Sequence, residues 1–508
     1  MVPIPSVIPG YGPVRAFVSA ALATPEAKGA NLPERRNGGH DKRAASLRDA
    51  IIASNLRNGG TVSFHHHLRD GDDVLRKVMT EIAELGLRDL RVAATSIFPV
   101  HAPLVDYIRS GVVSRIVSSY IAGPVAKAIS QGALENPAVL QTHGGRARAI
   151  ESGELHIDVA FVAAPAADAH GNINGLDGKA ACGPLGYPMV DARHAGHVIA
   201  ITDTFFPTPL ENIDILAGLV DAVVVVDSIG DASKIVSGTT RLTTDPVGLS
   251  IAEMAARVIE ASGLLIDGFS FQAGAGSVSL AVAENLATIM RERGIVGEFA
   301  SGGITGGLVE MFREGLFRTL FNVQSFDLDA VTSYRDDHDH FSMSASLYAN
   351  PSLGNAIVNR LDVVVLGAAE VGVNFDVNVT AVNGGSIIGG SGGHSDTAAG
   401  AKLALVTTRL VSGNNPKIVD TVECRTTPGE TIDVVVTDCG VAVNPLRSDL
   451  KAKLQAANIP VVDIARLRDL AAEQTKDTKR PHCNAQGKIV AVVEYRDGSV
   501  IDVVRAKA

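Results

Sequence analysis

TVSFHHHLRDGD (Thr61–Asp72) runs from a short apolar segment into three consecutive histidines and an arginine, and a helix-like stretch, Asp73–Leu85, follows it. A strand, a polar turn and a helix open a βα unit. In open α/β sheets ligands bind at the carboxyl ends of the strands, where these histidines fall. The pattern repeats outward: Leu90–Ala94, Val112–Ser119, Val159–Ala164, Val198–Asp203 and Ala222–Asp227 read as strands, and Pro103–Ser110 as a helix. Short apolar runs alternating with helical periods predict an α/β fold with a mainly parallel sheet.

A second series follows the polar stretch Ser237–Asp245. IAEMAARVIEASG is a helix closed by Gly263, FSFQAGAG a strand entering a glycine turn, and SVSLAVAENLATIMRERG a long helix stopped by Gly294. LDVVVLGAAEVG, IDVVVTDCGVAVNP and IVAVVEYRDGSVIDVV supply further strands. The expected division is an N-terminal arm over 1–44, a first α/β domain over 45–236 and a second over 237–508, with a cleft between similar halves.

Aromatics make up only 4% of the chain and Trp is absent, so the core must be aliphatic, which suits stacked parallel strands and helices. No run approaches the ~18 apolar residues of a membrane span. Four cysteines lie far apart without CxxC spacing, which indicates neither a zinc ribbon nor a disulfide framework and suits a reducing cytoplasm. A formal charge of −10 argues against nonspecific nucleic-acid binding, and an anionic substrate would need local cations.

Glycine turns are the other candidates. Gly274 and Gly276, before Ser277, would let backbone approach a ligand at a helix N-terminus, or form a tight turn with no ligand. Ser279 stands where a dinucleotide fingerprint needs its third glycine, which disfavours NAD. ASGGITGG, with Gly302 and Gly303, repeats the device. NGGSIIGGSGGHSDTAAG offers Gly392, Gly393 and His394, with Asp396 beside them, for phosphate or oxyanion binding. YRDDHDHFS (Tyr334–Ser342) reads as a solvated acidic loop rather than a metal site, and Thr142–Gly145 and Asp168–Gly178 read as turns.

Alternate residues of an extended segment point opposite ways, so His65 and His67 would face one side and His66 the other, and the three cannot easily converge on one metal. A carboxylate needs less: two imidazoles, the Arg69 guanidinium and nearby amides, with charged histidine adding to the attraction. An anion site is favoured over a structural turn, and both over a metal.

Taken in order, TVSFHHHLRDGD, HAPLVDYIRSGVVSRI, GELHIDVAF, FQAGAGSVSLA, SGGITGG, NVQSFDLDAV, LDVVVLGAAEVGVNFDVNV, GGSGGHSDTA and TDCGVAVNP make the chain resemble the citrate lyase alpha subunits from about residue 45 onward. The resemblance implies two tandem CoA-transferase-like domains with the active site between them. It implies exchange of acetate for citrate on an acetyl thioester, carried by the CoA-derived arm of an acyl carrier protein or by acetyl-CoA. It also implies lyase (beta) and acyl-carrier (gamma) companion subunits, an oligomer and no metal in this chain.

In the covalent CoA-transferases, a more distant resemblance, a glutamate forms an acyl-enzyme thioester; the matching stretch here, Gln324-Ser325-Phe326-Asp327, puts Phe326 at that position. The resemblance therefore implies direct attack by citrate through a mixed anhydride, with Asp327 a substitute nucleophile and His394 a further catalytic candidate. His65, His66, His67 and Arg69 are assigned to citrate, and Gly274, Gly276, Ser277, Gly302, Gly303, Gly392 and Gly393 to the CoA-like arm or the oxyanion. The rival readings are the same chemistry on citramalate or another acid, and a noncatalytic CoA- or nucleotide-binding subunit.

Overall fold

A computed structural model describes residues 3–18, 41–236, 242–274, 276–475 and 486–507. In chain order the principal strands are Thr61–Phe64 (β1), Leu90–Ala94 (β2), Val113–Ser118 (β3), Ala138–Leu140 (β4), Val159–Ala163 (β5), His197–Thr202 (β6) and Ala222–Val225 (β7). Then come Ser270–Ala273 (β8), Gly297–Ile304 (β9), Phe317–Ser325 (β10), His340–Ser342 (β11), Val363–Gly367 (β12), Leu403–Thr407 (β13), Val434–Thr437 (β14) and Gly440–Val443 (β15). Ile489–Glu494 (β16) and Val500–Arg505 (β17) close the series.

These strands make two large sheets, ordered β7-β6-β5-β1-β2-β3-β4-β16-β17 and β11-β10-β9-β8-β12-β13-β14-β15. Both grow in the same way: the first strand is central, the next three are added on one side, and the following three on the other. Pairing is parallel except in the terminal hairpins β14–β15 and β16–β17. Buried on both faces, the parallel strands are apolar throughout: Val198–Ile201 and Val363–Val365 have no exposed surface.

The sheets do not follow the expected sequence halves. The β16–β17 hairpin, placed by the sequence in 237–508, pairs through β16 with β4 of the first sheet. It covers an edge that β4 would otherwise leave open. Thr142–Gly145, expected as a turn, instead starts a helix, His143–Glu151, whose N-cap Thr142 accepts from the Gly145 amide at 2.7 Å. Two glycines in the first turn disguise it. Tyr334–Ser342, expected as a solvated loop, holds the end of the helix Leu328–Asp336 and all of β11; buried His340 bonds Ser333 Oγ and Asn322 Nδ2, both at 2.9 Å. Among the described residues no helix is long and apolar enough to cross a membrane.

Candidate active site

Where β1 ends the chain turns sharply: His65, His66, His67 and Arg69 are all buried, and Arg69 takes a left-handed φ of 51° in a 3-10 turn. Such a conformation costs a non-glycine residue about 1 kcal/mol or more and persists only where packing enforces it. Here the guanidinium lies over the rings of Phe98 and Phe326, 5.3 and 4.9 Å from their centroids. His66 Nδ1 is hydrogen-bonded to Thr95 Oγ1 at the end of β2. Its ring lies 4.9 Å from Tyr187 and 5.7 Å from His143, which is itself 4.6 Å from Tyr187.

Strict alternation of the three histidines fails because the strand stops at Phe64. His66 and His67 both face Tyr187, with His67 at 5.9 Å, whereas His65 turns toward Asp191 and Arg146. That pair is a buried bidentate ion pair at 2.6 and 2.8 Å, with Arg146 also reaching Ala93 O at the end of β2. It ties the helix that begins at His143 to the helix Pro188–His194, which Tyr187 precedes, and so fixes both rings of the site.

Burial also overturns the expectation of charged imidazoles. Desolvation, reinforced by neighbouring histidines and arginines, pushes His65 down to about 4, His67 and His143 to about 3, and His66 well below its ordinary value. Burial lowers Arg69 only to about 10, so it remains cationic at neutral pH. The histidines are therefore neutral donors and acceptors, His66 near the Arg69 cation and His65 and His143 near Arg146. Both ring nitrogens of His65, Nε2 of His67, Nδ1 of His143 and Oγ of Ser119 are buried without a hydrogen-bond partner. Among the described residues no group of three or more His, Cys, Asp and Glu is placed to hold a metal.

The second sheet meets this loop from the other side. Gln324 Nε2 donates to His66 O at 2.9 Å from the end of β10. Phe326 carries Arg69 on its ring and packs so closely on Gly303 that a Cβ there would lie 2.1 Å from it. Gly302, at φ 99° in a bulge of β9, has the Gln272 amide where its side chain would be. Gly392 straps the two sheets together: its amide donates to Ser119 O at 3.0 Å and its carbonyl accepts from His143 N at 2.8 Å. A Cβ on Gly393 would come within 2.5 Å of Tyr348 Oη.

Several expected roles meet groups already engaged. His394 is bonded through Nδ1 to Thr427 Oγ1 at 2.8 Å and through Nε2 to Gly367 O at 3.0 Å, which leaves no ring nitrogen for chemistry. Asp327 accepts from Gly306 N at 2.6 Å and caps its helix through Ala330 N at 2.8 Å, the work of a structural carboxylate. The amides of Gly392 and Gly274 are likewise used, the latter on Val365 O at 2.8 Å. Gly276 caps the helix Ser277–Arg293 without a side-chain bond. Nearby, Ala273, Leu280, Ala283, Thr305, Gly306 and Asp327 line part of a cavity of about 530 Å³.

His143 and Tyr187 were missed in the sequence; the one signal for His143 was the Thr142 cap. The site sits at the carboxyl end of β1, the central strand of the first sheet, where the ends of β9 and β10 of the second sheet meet it, in a CoA-transferase-like α/β architecture. A family model described as citrate lyase, alpha subunit (CitF), matches residues 40–507, and the chain belongs to that family. The citrate lyase alpha chains of Klebsiella pneumoniae and Escherichia coli K12 are 46% and 47% identical to it over 91% of this chain and 90% of theirs. The structure of a citrate lyase alpha subunit from Streptococcus mutans in complex with citrate superposes with a TM-score of 0.91 at 44% identity, covering 96% of each chain. A Pseudomonas malonate decarboxylase shares the fold, at a TM-score of 0.62 and 18% identity over 84% of this chain and 85% of that one. The chain is thus an enzyme, a citrate CoA-transferase of the citrate lyase alpha type.

Proposed function

We propose that this chain exchanges acetate for citrate on an acetyl thioester without an acyl-enzyme, citrate being held around Arg69. The observation that carries this reading is the set of buried, unpartnered polar atoms on His65, His67 and His143, whose rings cluster with that of His66 beside the buried Arg69 turn, while the other buried guanidinium there, Arg146, is neutralised by Asp191. Buried polar groups left unpaired cost about 1–3 kcal/mol each, and a polyoxygenated anion would satisfy them. Arg69 supplies the charge, and the neutral imidazoles supply hydrogen bonds that a hydroxyl and several carboxylate oxygens can all use.

The acetyl thioester of an acyl-carrier arm, or acetyl-CoA, approaches from the side of the Gly274–Ser277 turn and the adjoining cavity. One citrate carboxylate oxygen attacks the acetyl carbonyl and expels the thiolate, giving an acetyl–citryl anhydride. The thiolate then attacks the citryl carbonyl and expels acetate. Phe326 offers no nucleophile and Asp327 is engaged on two amides, so holding the reactants together replaces covalent catalysis; orientation of this kind is worth roughly 7–11 kcal/mol. Citryl thioester would pass to a lyase subunit in a cytoplasmic complex with the acyl-carrier subunit.

The test is a single turnover with citrate whose carboxylates carry heavy oxygen. Direct attack places one labelled oxygen in the released acetate; unlabelled acetate, with label retained on a protein carboxylate, sinks the reading. A panel of acids in the same assay separates citrate from citramalate.

A further inference from the structure

A second cavity lies under the N-terminal segment, on the first sheet. It has a volume of about 220 Å³ and is lined by Tyr11, Arg91, Arg115, Gln141, Glu154 and Glu494, among others. That is below the ~300 Å³ at which drug-sized ligand sites begin, and it suits a small anion better than a nucleotide.

Arg91 on β2 and Arg115 on β3 are register partners, so two like charges stand side by side in neighbouring strands. Such a cross-strand pair is destabilising unless a counter-charge is present. Neither carboxylate of the lining provides one. Glu494 accepts from Tyr11 Oη and Gln141 Nε2, both at 2.8 Å, and Glu154 is held by Arg148 Nη1 and Nη2 at 2.7 and 2.8 Å. Arg115 spends Nη2 on Gly59 O and Asp89 O, at 3.0 and 2.9 Å, and 3.8 Å from the largely exposed Asp89 carboxylate; its Nε is buried without a partner. Burial and the Arg115 charge lower Arg91, and the Asp158 carboxylate, outside the cavity lining, offsets them only in part. Across the cavity Gln141 Oε1 is also buried and unpartnered, an acceptor awaiting a donor. The cavity itself thus presents two guanidiniums whose carboxylate neighbours, Asp158 and Asp89, lie outside its lining, and one acceptor that lacks an O–H.

We propose that Arg91 and Arg115 bind a small oxyanion bearing a hydroxyl, inorganic hydrogen phosphate or a hydroxycarboxylate, at a site separate from that around Arg69. Gln141 links it to the chemistry, because the next two residues, Thr142 and His143, cap and begin the helix that carries His143 into the active site. Occupancy therefore bears on the orientation of His143.

The test is calorimetric titration of the full chain carrying Arg69→Gln, which disables the active site, with phosphate and separately with malate. At least one probe should bind, and adding Arg91→Gln should weaken it about tenfold or more. Tighter phosphate identifies the mineral anion, and tighter malate the hydroxy acid. Absence of binding by both probes, or equal affinity after Arg91→Gln, overturns the proposal. Thermal melting guards against a folding artefact: without anion Arg91→Gln should melt no lower than its parent, since it relieves repulsion, and only the parent should gain Tm with the probe. Should Arg91→Gln melt lower, Arg91→Lys replaces it; a charge-bearing site keeps part of its affinity in that variant, and loss equal to a neutral side chain overturns the proposal.

Discussion

The turns after β1 and after β8 occupy the same place in sheets wound in the same order, yet they are built from opposite materials. After β1 come three histidines and an arginine, bulky, polar and buried, with the arginine in a left-handed conformation. After β8 come Gly274 and Gly276, then a helix of seventeen residues beside a cavity of about 530 Å³. The first turn supplies donors and a charge, which suits a compact polyanion; the second supplies space and a helix terminus, which suits a long arm. Under the proposed function, one topology would serve once to grip and once to make room.

The sharpest break of this comparison is Arg69→Gln. Removing the buried cation should lower kcat/KM for citrate ~100- to 1000-fold and leave the KM for acetyl-CoA within ~threefold. If both substrates suffer equally in steady-state kinetics, the division of labour is wrong.

Gly303→Ala tests how the two turns are coupled. Its Cβ would strike the Phe326 ring, which supports Arg69, so about 1–3 kcal/mol of stability and ~10- to 100-fold of citrate activity should be lost. Adding Phe326→Leu should recover part of the stability in denaturant melts; purely additive losses would show that the glycine acts elsewhere.

The acidity of the histidine turn gives a further separation. Imidazoles held near 3 or 4 when folded but near ~6.5 when unfolded let the unfolded chain bind more protons between those values. Their contribution to stability is therefore complete above pH ~6.5 and falls as the pH drops toward ~4. Asp214, bonded to Tyr334, and Asp396, bonded to Thr142 and the Gly144 amide, act in the opposite sense: burial raises both to about 6, so each costs stability as the pH rises from ~4 to 6. Buried Asp327, Asp433, Glu494 and Asp502 are raised as well, whereas Glu154, Asp168 and Asp191 are held low and act with the histidines. The histidines are shifted further than Asp214 and Asp396, so the denaturation midpoint should be lower at pH 5 than at pH 7. The reverse order would mean that the imidazoles are charged in the native state.

The mildest test is Gly276→Ala. At its ordinary φ of −79° a Cβ meets only Ser279 Oγ at 3.6 Å, so stability should change by less than about 0.5 kcal/mol. The thioester KM should rise a few-fold with citrate unaffected; a citrate defect would blur the contrast between the turns.

Much of this was legible in the sequence. Apolar runs located β1, β2, β3, β5 and β6 to within a residue or two, and Gly263 and Gly294 end their helices in left-handed conformations as expected. The histidine turn was read as a candidate site from its place after the first strand. The three-residue β4 and the glycine-started helix behind Thr142 were too short or too atypical for periodicity to register, so His143 was lost with them. Tyr187 had no signal, because what makes it part of the site is the Arg146–Asp191 pair, and those residues are 45 apart in the chain.

What the sequence determined by itself is the set of parts: parallel-strand runs that can only be buried, glycine-rich turns, an arginine and three histidines at a strand end, and a phenylalanine between Ser325 and Asp327. What the tertiary structure decided is their state and company. Burial, which depends on the packing of two sheets, turned expected cations into neutral donors. The meeting of the two sheets brought the end of β10 against the turn after β1, so that Phe326, read in sequence only as the lack of a nucleophile, became the surface on which Arg69 rests.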